Sequence, residues 1–599
     1  MNCFDFSVII RFVLKTSIRC RLVTFGVYLS SVTLFLADEM SNDEAVNLRS
    51  LSIEELLDVK VTSVSKKSES VSRSAAAITV ISQEDIRRSG AMSLPEAIRL
   101  APGMQVAAID AANWAVSARG FNDIFANKLL VMIDGRPIYT PLFSGVYWDA
   151  QETFMEDIDR IEIVRGPGAT MWGANAVNGV INVISRDAKD TQGMLAFGTL
   201  GTELLGSAGF RYGFQLREDL HMRVYGQYQE RDSLVLSDGS DSSDDYELGQ
   251  GGFRLDWEPS AQNKMTFQGD VYGGASSYLA DSFPAAPPFT GQVVRTPNIG
   301  GGNLLGRWNH YFSDDSPLSL QMFYDHTARD TGFIEERRTT FDIDLQQRFP
   351  IGPSFEMVVG GNYRHSRDDL VGPLGLAVLP QVDSFNPAEE TLELRSGFVQ
   401  GGWDIIDDEL NFTLGSKFED NDYTGMEIQP SARLRWQPIE RHTLWGAVSR
   451  AVRTPSRTER GIQFTQAGAG LPGIISFRGS DEFRSEDMMA YEVGYRMQQN
   501  ERLSWDIATF YNVYDRLQTR EISFPTLVGG FPVFPVTAAN KMQGESYGVE
   551  IALNWHLTDW WRIKPSYSFL EINVERDAGS TDVTSHTLAG SSPQQTFSA

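Results

Sequence analysis

The sequence predicts a small α/β domain followed by a large antiparallel transmembrane β-barrel, and three observations predict it. A basic and then apolar segment of export type opens the chain. Ile158–Arg186 reads as strand, tight loop, strand, with glycines at 166, 168, 173 and 179. From about Gly193 onward, apolar and polar residues alternate with period two. That is the pattern of strands with lipid on one face and a polar lumen on the other. The 599 residues exceed one ordinary domain. A net charge of −26 argues against a nucleic-acid partner, because phosphate binding depends on Lys and Arg. Aromatic content of 11% and mean hydropathy of −0.24 suit a wall that is half apolar surface and half polar lumen. Past the N-terminus no apolar run reaches the roughly 20 residues of a helical span.

Taken in order, Arg11, Lys15, Arg19 and Arg21 form a basic region, Leu22–Leu36 an apolar core, and Ala37 a cleavage position. Residues 1–37 are therefore expected to be a signal peptide, with a lone membrane anchor as the alternative. Both cysteines, Cys3 and Cys20, fall inside it. The exported chain would then carry no thiol into an oxidising compartment. Residues 38–65 are polar and expected to be mobile. They include a short helix at Leu51–Asp58 with Ser52 and Glu55 placed as a capping box, and then the β-prone run Val59–Ser65. Residues 66–187 form the small domain. It has a strand at Ile78–Ile81 and helices at Ser82–Ser89 and Ser93–Leu100. Ser93 and Glu96 are spaced as a second capping box, Pro95 sits in the first turn, and Pro102-Gly103 stops the helix. Leu129–Tyr139 is an apolar strand broken by an Asp-Gly turn.

Residues 193–599 carry the alternation. In Met489–Met497 one face is Met, Tyr, Val, Tyr, Met, and the other holds Ala490, Glu492, Gly494 and Arg496. Tyr547–Leu557 sets Tyr, Val, Ile, Leu, Trp and Leu against Gly548, Glu550, Ala552, Asn554 and His556. Leu410–Phe418, Leu318–Tyr324 and Met265–Val271 repeat the pattern. A soluble sandwich also alternates, but the length of the run and its Tyr-, Trp- and Met-rich faces favour a membrane wall. Long polar connections (233–246, 275–300, 372–390, 453–483) are interleaved with short ones (258–263, 438–442). Outer loops and inner turns differ in this way.

Ser117-Ala118-Arg119-Gly120-Phe121, Leu129–Tyr139 and Ile158–Arg186, in that order, resemble the plug domain of TonB-dependent outer-membrane receptors, over about Leu51 to Ser185. The resemblance implies a small α/β plug domain inside a large antiparallel transmembrane β-barrel of about 22 strands. In that family the last strand commonly ends in an aromatic residue. This chain stops at Gln595-Thr-Phe-Ser-Ala599, so C-terminal strands are expected to be missing, with a smaller complete barrel as the alternative.

The resemblance further implies partners and sites. Val59, Lys60, Val61, Thr62, Ser63, Val64 and Ser65 occupy the place of the TonB box, which adds a strand to TonB; the alternative is an ordinary first plug strand. Plug loops at Val106–Val116 (Asn113, Trp114) and Arg136–Trp148 (Tyr139, Phe143, Tyr147, Trp148) stand where the family touches its ligand, or else pack the plug against the wall. Arg119 and Arg165 match plug arginines that pair with barrel glutamates, here Glu492 and Glu550, to latch the plug; the alternative is separate solvated charges. The expected function is TonB-dependent import of a scarce ligand, namely a ferric siderophore, haem or cobalamin. TonB and its inner-membrane energising complex would be partners, outer-membrane lipid would surround a monomer, and no cofactor is expected. A passive porin is the second reading, and an outer-membrane enzyme the third.

Catalytic motifs are poor. Gly544-Glu-Ser-Tyr-Gly548 matches G-x-S-x-G, but a nucleophile elbow needs strand, turn and helix, and this stretch reads as a strand. The seven histidines show no metal-ligand spacing, and no phosphate loop ends in Gly-Lys-Ser/Thr. The acidic run Ser237–Asp245 is either a divalent-cation site or a solvated loop.

Overall fold

The computed structural model describes residues 59–599 apart from 67–68, 283–290, 332–333, 373–383, 468–473, 529 and 559. The expected signal peptide, residues 38–58 and the helix expected at Leu51–Asp58 lie outside the described residues. The plug strands are β1 (Lys60–Val61), β2 (Glu69–Ser70), β3 (Ala77–Ser82), β4 (Met104–Ala108), β5 (Trp114–Ala118), β6 (Leu129–Ile133), β7 (Arg136–Pro137), β8 (Ile158–Arg165) and β9 (Gly179–Ser185). A five-stranded sheet in the order β3-β8-β9-β6-β7 forms the body. β6 and β9 are parallel and the other neighbours antiparallel. Ile161, Ile163, Ile181 and Val183 pack into the main core, while Val164 and Val180 pack into a second cluster across the sheet with Met132. Burial on both faces explains the continuous apolar run of β6, Leu129–Ile133.

The helix Gln83–Ser89 starts with a capping box that the sequence reading missed. Ser82 Oγ accepts from Asp85 N–H at 3.2 Å, and Asp85 Oδ2 accepts from Ser82 N–H at 3.1 Å. The box expected at Ser93 and Glu96 does not form. Glu96 Oε2 instead accepts from Met92 N–H at 2.6 Å, and the helix is the shorter Leu94–Ile98. Pro95 lies in its first turn as expected, and the chain turns away at Gly103 (φ 70°).

The barrel is one 22-stranded sheet from Gly193–Leu200 to Gln595–Ser598. Gln463–Ala467, Ile474–Arg478, Thr526–Val528 and Arg562–Ile563 are short members at the strand ends. Among the described residues Gly193–Leu200 pairs only with Leu204–Arg217, and Gln595–Ser598 only with Ser566–Arg576. The expected faces are present. In the strand Glu486–Asn500, Tyr491 and Val493 are 47% and 55% exposed, whereas Ala490 and Glu492 are buried. Strands of 11 to 20 residues such as Ser566–Arg576 and Leu503–Ile522 equal or exceed the roughly 9–11 residues that a tilted span needs.

Candidate functional site: the plug–barrel interface

Arg119 follows β5, and Arg165 ends β8; both point into the lumen. Arg119 Nη1 donates to Glu492 Oε1 at 2.7 Å and its Nε to Glu550 Oε1 at 3.3 Å. Arg165 Nε lies 3.2 Å from Glu550 Oε2, and its Nη1 donates to the Pro102 carbonyl. All four side chains are between 1% and 4% exposed. The structure thus brings together the four residues singled out from sequence, with Arg119 bridging both glutamates. Burial lowers the Arg119 pKa, but the Glu550 and Glu492 carboxylates outweigh it and hold the guanidinium above its ordinary value. Two glycines make room. Gly166 (φ 99°) sits where a Cβ would overlap Glu492 Oε1 and Arg119 Nη1, and at Gly103 a Cβ would lie 2.8 Å from Glu550 Oε1. The first of these positions explains a glycine of the Ile158–Arg186 loop: close approach and a left-handed backbone are both required.

A family profile described as TonB-dependent Receptor Plug Domain matches residues 70–180. A second, TonB dependent receptor-like beta-barrel, matches residues 181–599. The chain belongs to the TonB-dependent receptor family. The iron-regulated outer membrane virulence protein of Vibrio cholerae is 21% identical over 524 residues, spanning 83% of this chain and 76% of that protein. The probable TonB-dependent siderophore receptor PirA of Acinetobacter baumannii is 22% identical over 533 residues, spanning 75% and 68%. Among solved structures, the siderophore receptor PirA from Acinetobacter baumannii superposes with a TM-score of 0.68 at 17% identity, over 91% of this chain and 84% of that one.

For this receptor the aromatic plug residues divide. Trp114 and Trp148 are buried in the main plug core, so both side chains pack inward. Asn113 is half-buried and donates to Asp110 Oδ2 at 2.8 Å. Phe143 packs edge-on to Phe125 and Tyr147, and beside Leu142, Phe385 and Ile462. Tyr147 lies under the Arg329 guanidinium at 3.9 Å. The Tyr139 hydroxyl donates to Ser144 Oγ at 3.0 Å. The apical loop is held from above as well. Arg457 and Thr458 donate backbone N–H groups to the Pro141 and Leu142 carbonyls, both at 2.9 Å. The large apolar side chains exposed on the plug, among the described residues, are Leu100, Ile109, Ile124 and Phe125, the last 53% exposed.

Val59–Ser65 is not a free arm through its length. β1 pairs with β2. Thr62 and Ser63 N–H groups each donate to Glu162 Oε2 at 2.9 Å, and Ser63 Oγ donates to it at 2.6 Å. Trp172 Nε1 donates to the Ser63 carbonyl at 2.7 Å. Val61 is fully buried. The mobile segment expected to reach Ser65 is therefore docked from Lys60 onward, because the buried Glu162 carboxylate gathers its orphan donors.

Sequence reasoning missed most of the other ion pairs. Asp157 faces Arg211 and Arg223, the latter at 3.2 Å. Asp187 faces Arg254 and Lys264, the latter at 2.6 Å. Lys128 pairs with Glu486, which also meets Arg453 at 2.8 Å. Arg496 grips the Val71, Ser74 and Ala76 carbonyls. The signal was present, because each barrel partner lies on the polar face of an alternating strand. Ser546 of the G-x-S-x-G match lies mid-strand in Phe531–His556 and accepts from Asn512 Nδ2 at 3.1 Å. In the acidic run, Asp244 Oδ2 accepts from Ala111 N–H of the plug at 3.0 Å. That carboxylate ties an outer loop to the plug. Among the described residues no group of three or more His, Cys, Asp or Glu is placed to hold a metal ion.

Proposed function

We propose that this receptor is an outer-membrane, TonB-energised importer of a ferric siderophore, acting as a monomer. The observation that carries the reading is a plug seated in the barrel by a dry Arg119–Glu492–Glu550–Arg165 cluster. A pore so filled admits a large solute only if work is done on the plug, and the outer membrane has no ATP. Arg119, Arg165, Glu492 and Glu550 act as the latch. The family match supports TonB as the source of work. The siderophore assignment rests on relatives named as siderophore or iron-regulated receptors. A vitamin B12 transporter of Vibrio vulnificus is matched over only 30% of this chain.

The Val59–Ser65 segment pairs with TonB once it leaves Glu162 and Trp172. Ligand contact falls to the outward-facing plug apices around Ile109 and Phe125, with Tyr139, Phe143 and Tyr147 behind them. Asn113, Trp114 and Trp148 support that surface from within. Radioiron uptake supplied as ferric enterobactin tests the reading. Uptake should require both the receptor and TonB, and cyanocobalamin uptake should not change. Uptake independent of TonB would remove the energy-coupled reading.

A further inference from the structure

A cavity of about 450 Å³ runs along one side of the plug. Its plug wall is Leu130–Tyr139 with Trp172–Asn175, and its barrel wall extends from Arg307 to Tyr423. At the rim that carries the long loops it reaches Asp422, Tyr423 and Pro455, and Asp422 is exposed. Towards the short turns it ends at Thr62, Lys66 and Gln346. The lining mixes charge of both signs, including Asp342, Glu419, Arg307 and Arg364. It is therefore a wet path and not a void left by packing.

The inner end is crossed by the docked N-terminal segment. Lys66 Nζ meets Asp344 Oδ2 at 3.1 Å. The same ammonium lies 4.9 Å from the Trp172 ring centroid and 5.0 Å from that of Phe398. Gln346 Nε2 donates to the Lys66 carbonyl at 3.3 Å. Lys66 holds a left-handed backbone (φ 52°), which non-glycine residues adopt only when their surroundings enforce it. The plug body is fastened elsewhere, through Asp157 to Arg211 and Arg223 and through Asp187 to Arg254. A pull on the N-terminus reaches β1 and Lys66 before it loads those pairs.

The geometry points to a preformed conduit for the transported ligand along this wall, with Lys66 and Asp344 as its inner gate. The segment up to Lys66 leaves, the plug sheet stays, and the ligand passes between Leu130–Tyr139 and the barrel. This rests on the transport reading, but its first test, a labelling rate in proteoliposomes, needs neither TonB nor the natural ligand. Cys3 and Cys20 are the only cysteines in these 599 residues, so Ser366→Cys in the cavity wall of a Cys3→Ser, Cys20→Ser chain serves as the single reporter. The full chain is placed in oriented proteoliposomes and treated with a charged methanethiosulfonate reagent from the short-turn side. Lys66→Met and Asp344→Asn should each raise the labelling rate at least tenfold. Lys66→Arg should stay near the parent rate, and so should Arg223→Met, which weakens the plug's anchorage. A rate within twofold of the parent for both gate variants would overturn the gate. An equal rise in Arg223→Met would overturn the stationary plug. In cells, a Lys66→Cys/Asp344→Cys disulfide should abolish ferric enterobactin uptake reversibly, whereas an Asp157→Cys/Arg211→Cys disulfide should leave it intact. The reverse pattern, or loss in both, would mean that the plug body itself moves.

Discussion

Arg119 joins the plug to two barrel strands at once. It pairs with Glu492 and Glu550 while nearly excluded from solvent. A latch screened by lumen water would contribute little. In the dry geometry, removing one partner strands a buried charge, at a cost of about 3–5 kcal/mol. Arg119→Ala should therefore loosen the plug more than Arg165→Ala does, because among the described residues Arg165 pairs with one glutamate, Glu550, and the Pro102 carbonyl, whereas Arg119 pairs with two glutamates. The readout is sensitivity of cells to a large antibiotic such as vancomycin. In a double-mutant cycle, Arg119→Ala with Glu492→Ala should cost less than the sum of the single changes. Strict additivity would show that the two do not interact. Gly166→Ala should mimic the latch variants, since its Cβ meets both charges and its φ of 99° resists a side chain.

Asp134 makes a pH prediction. Burial raises its pKa, but Arg254 and hydrogen bonds from Gln268 and Ser185 prevail and hold it below the ordinary carboxylate value. A depressed folded pKa gives stability that is present above the unfolded value and is lost as pH falls through the folded one. Plug seating should thus weaken only below the ordinary carboxylate range, and Asp134→Asn should flatten that acid limb in melting curves. An unchanged acid limb would assign it to other carboxylates.

Among elements, the N-terminal hairpin deserves its own experiment. Proline at Val61 removes a strand donor that pairing with TonB would use, but Val61 is fully buried, so that change damages the plug as well. Glu162→Gln is cleaner. It weakens acceptance from Thr62 and Ser63 and should ease local opening by about 1–3 kcal/mol. Hydrogen exchange at the Thr62 and Ser63 amides should rise accordingly, while exchange in β9 stays unchanged. Equal protection in both proteins would mean that Glu162 does not hold the segment. How much of these elements was legible follows from the physics of each. Period two marks barrel strands because lipid and lumen impose opposite demands on alternate residues, and Glu492 and Glu550 could be placed on the lumen face from that alone. Trp114 and Trp148 could not be told from exposed aromatics, because β5, which Trp114 opens, is buried throughout and shows no alternation, and the single turn at Trp148 is too short to show a period. Val59–Ser65 read as free for a similar reason: its tether, Glu162, lies about 100 residues away. The Ser82–Asp85 box was overlooked in favour of Ser93–Glu96 because both share the same spacing, and only tertiary packing selects between them.

For the molecule as a whole, two units share one lumen. The 22-stranded sheet supplies the wall, and the five-stranded plug sheet fills it, fastened by buried charges on several sides. The family assignment follows from matches across both units, whereas ligand choice rests on surface loops, where 17–22% identity to the relatives carries little information. The central claim is that the plug closes the pore at rest. Single-channel conductance in planar bilayers tests it most directly. The intact protein should show almost no current, and Arg119→Ala with Glu492→Ala should produce frequent openings. A large, steady conductance from the intact protein would contradict the account.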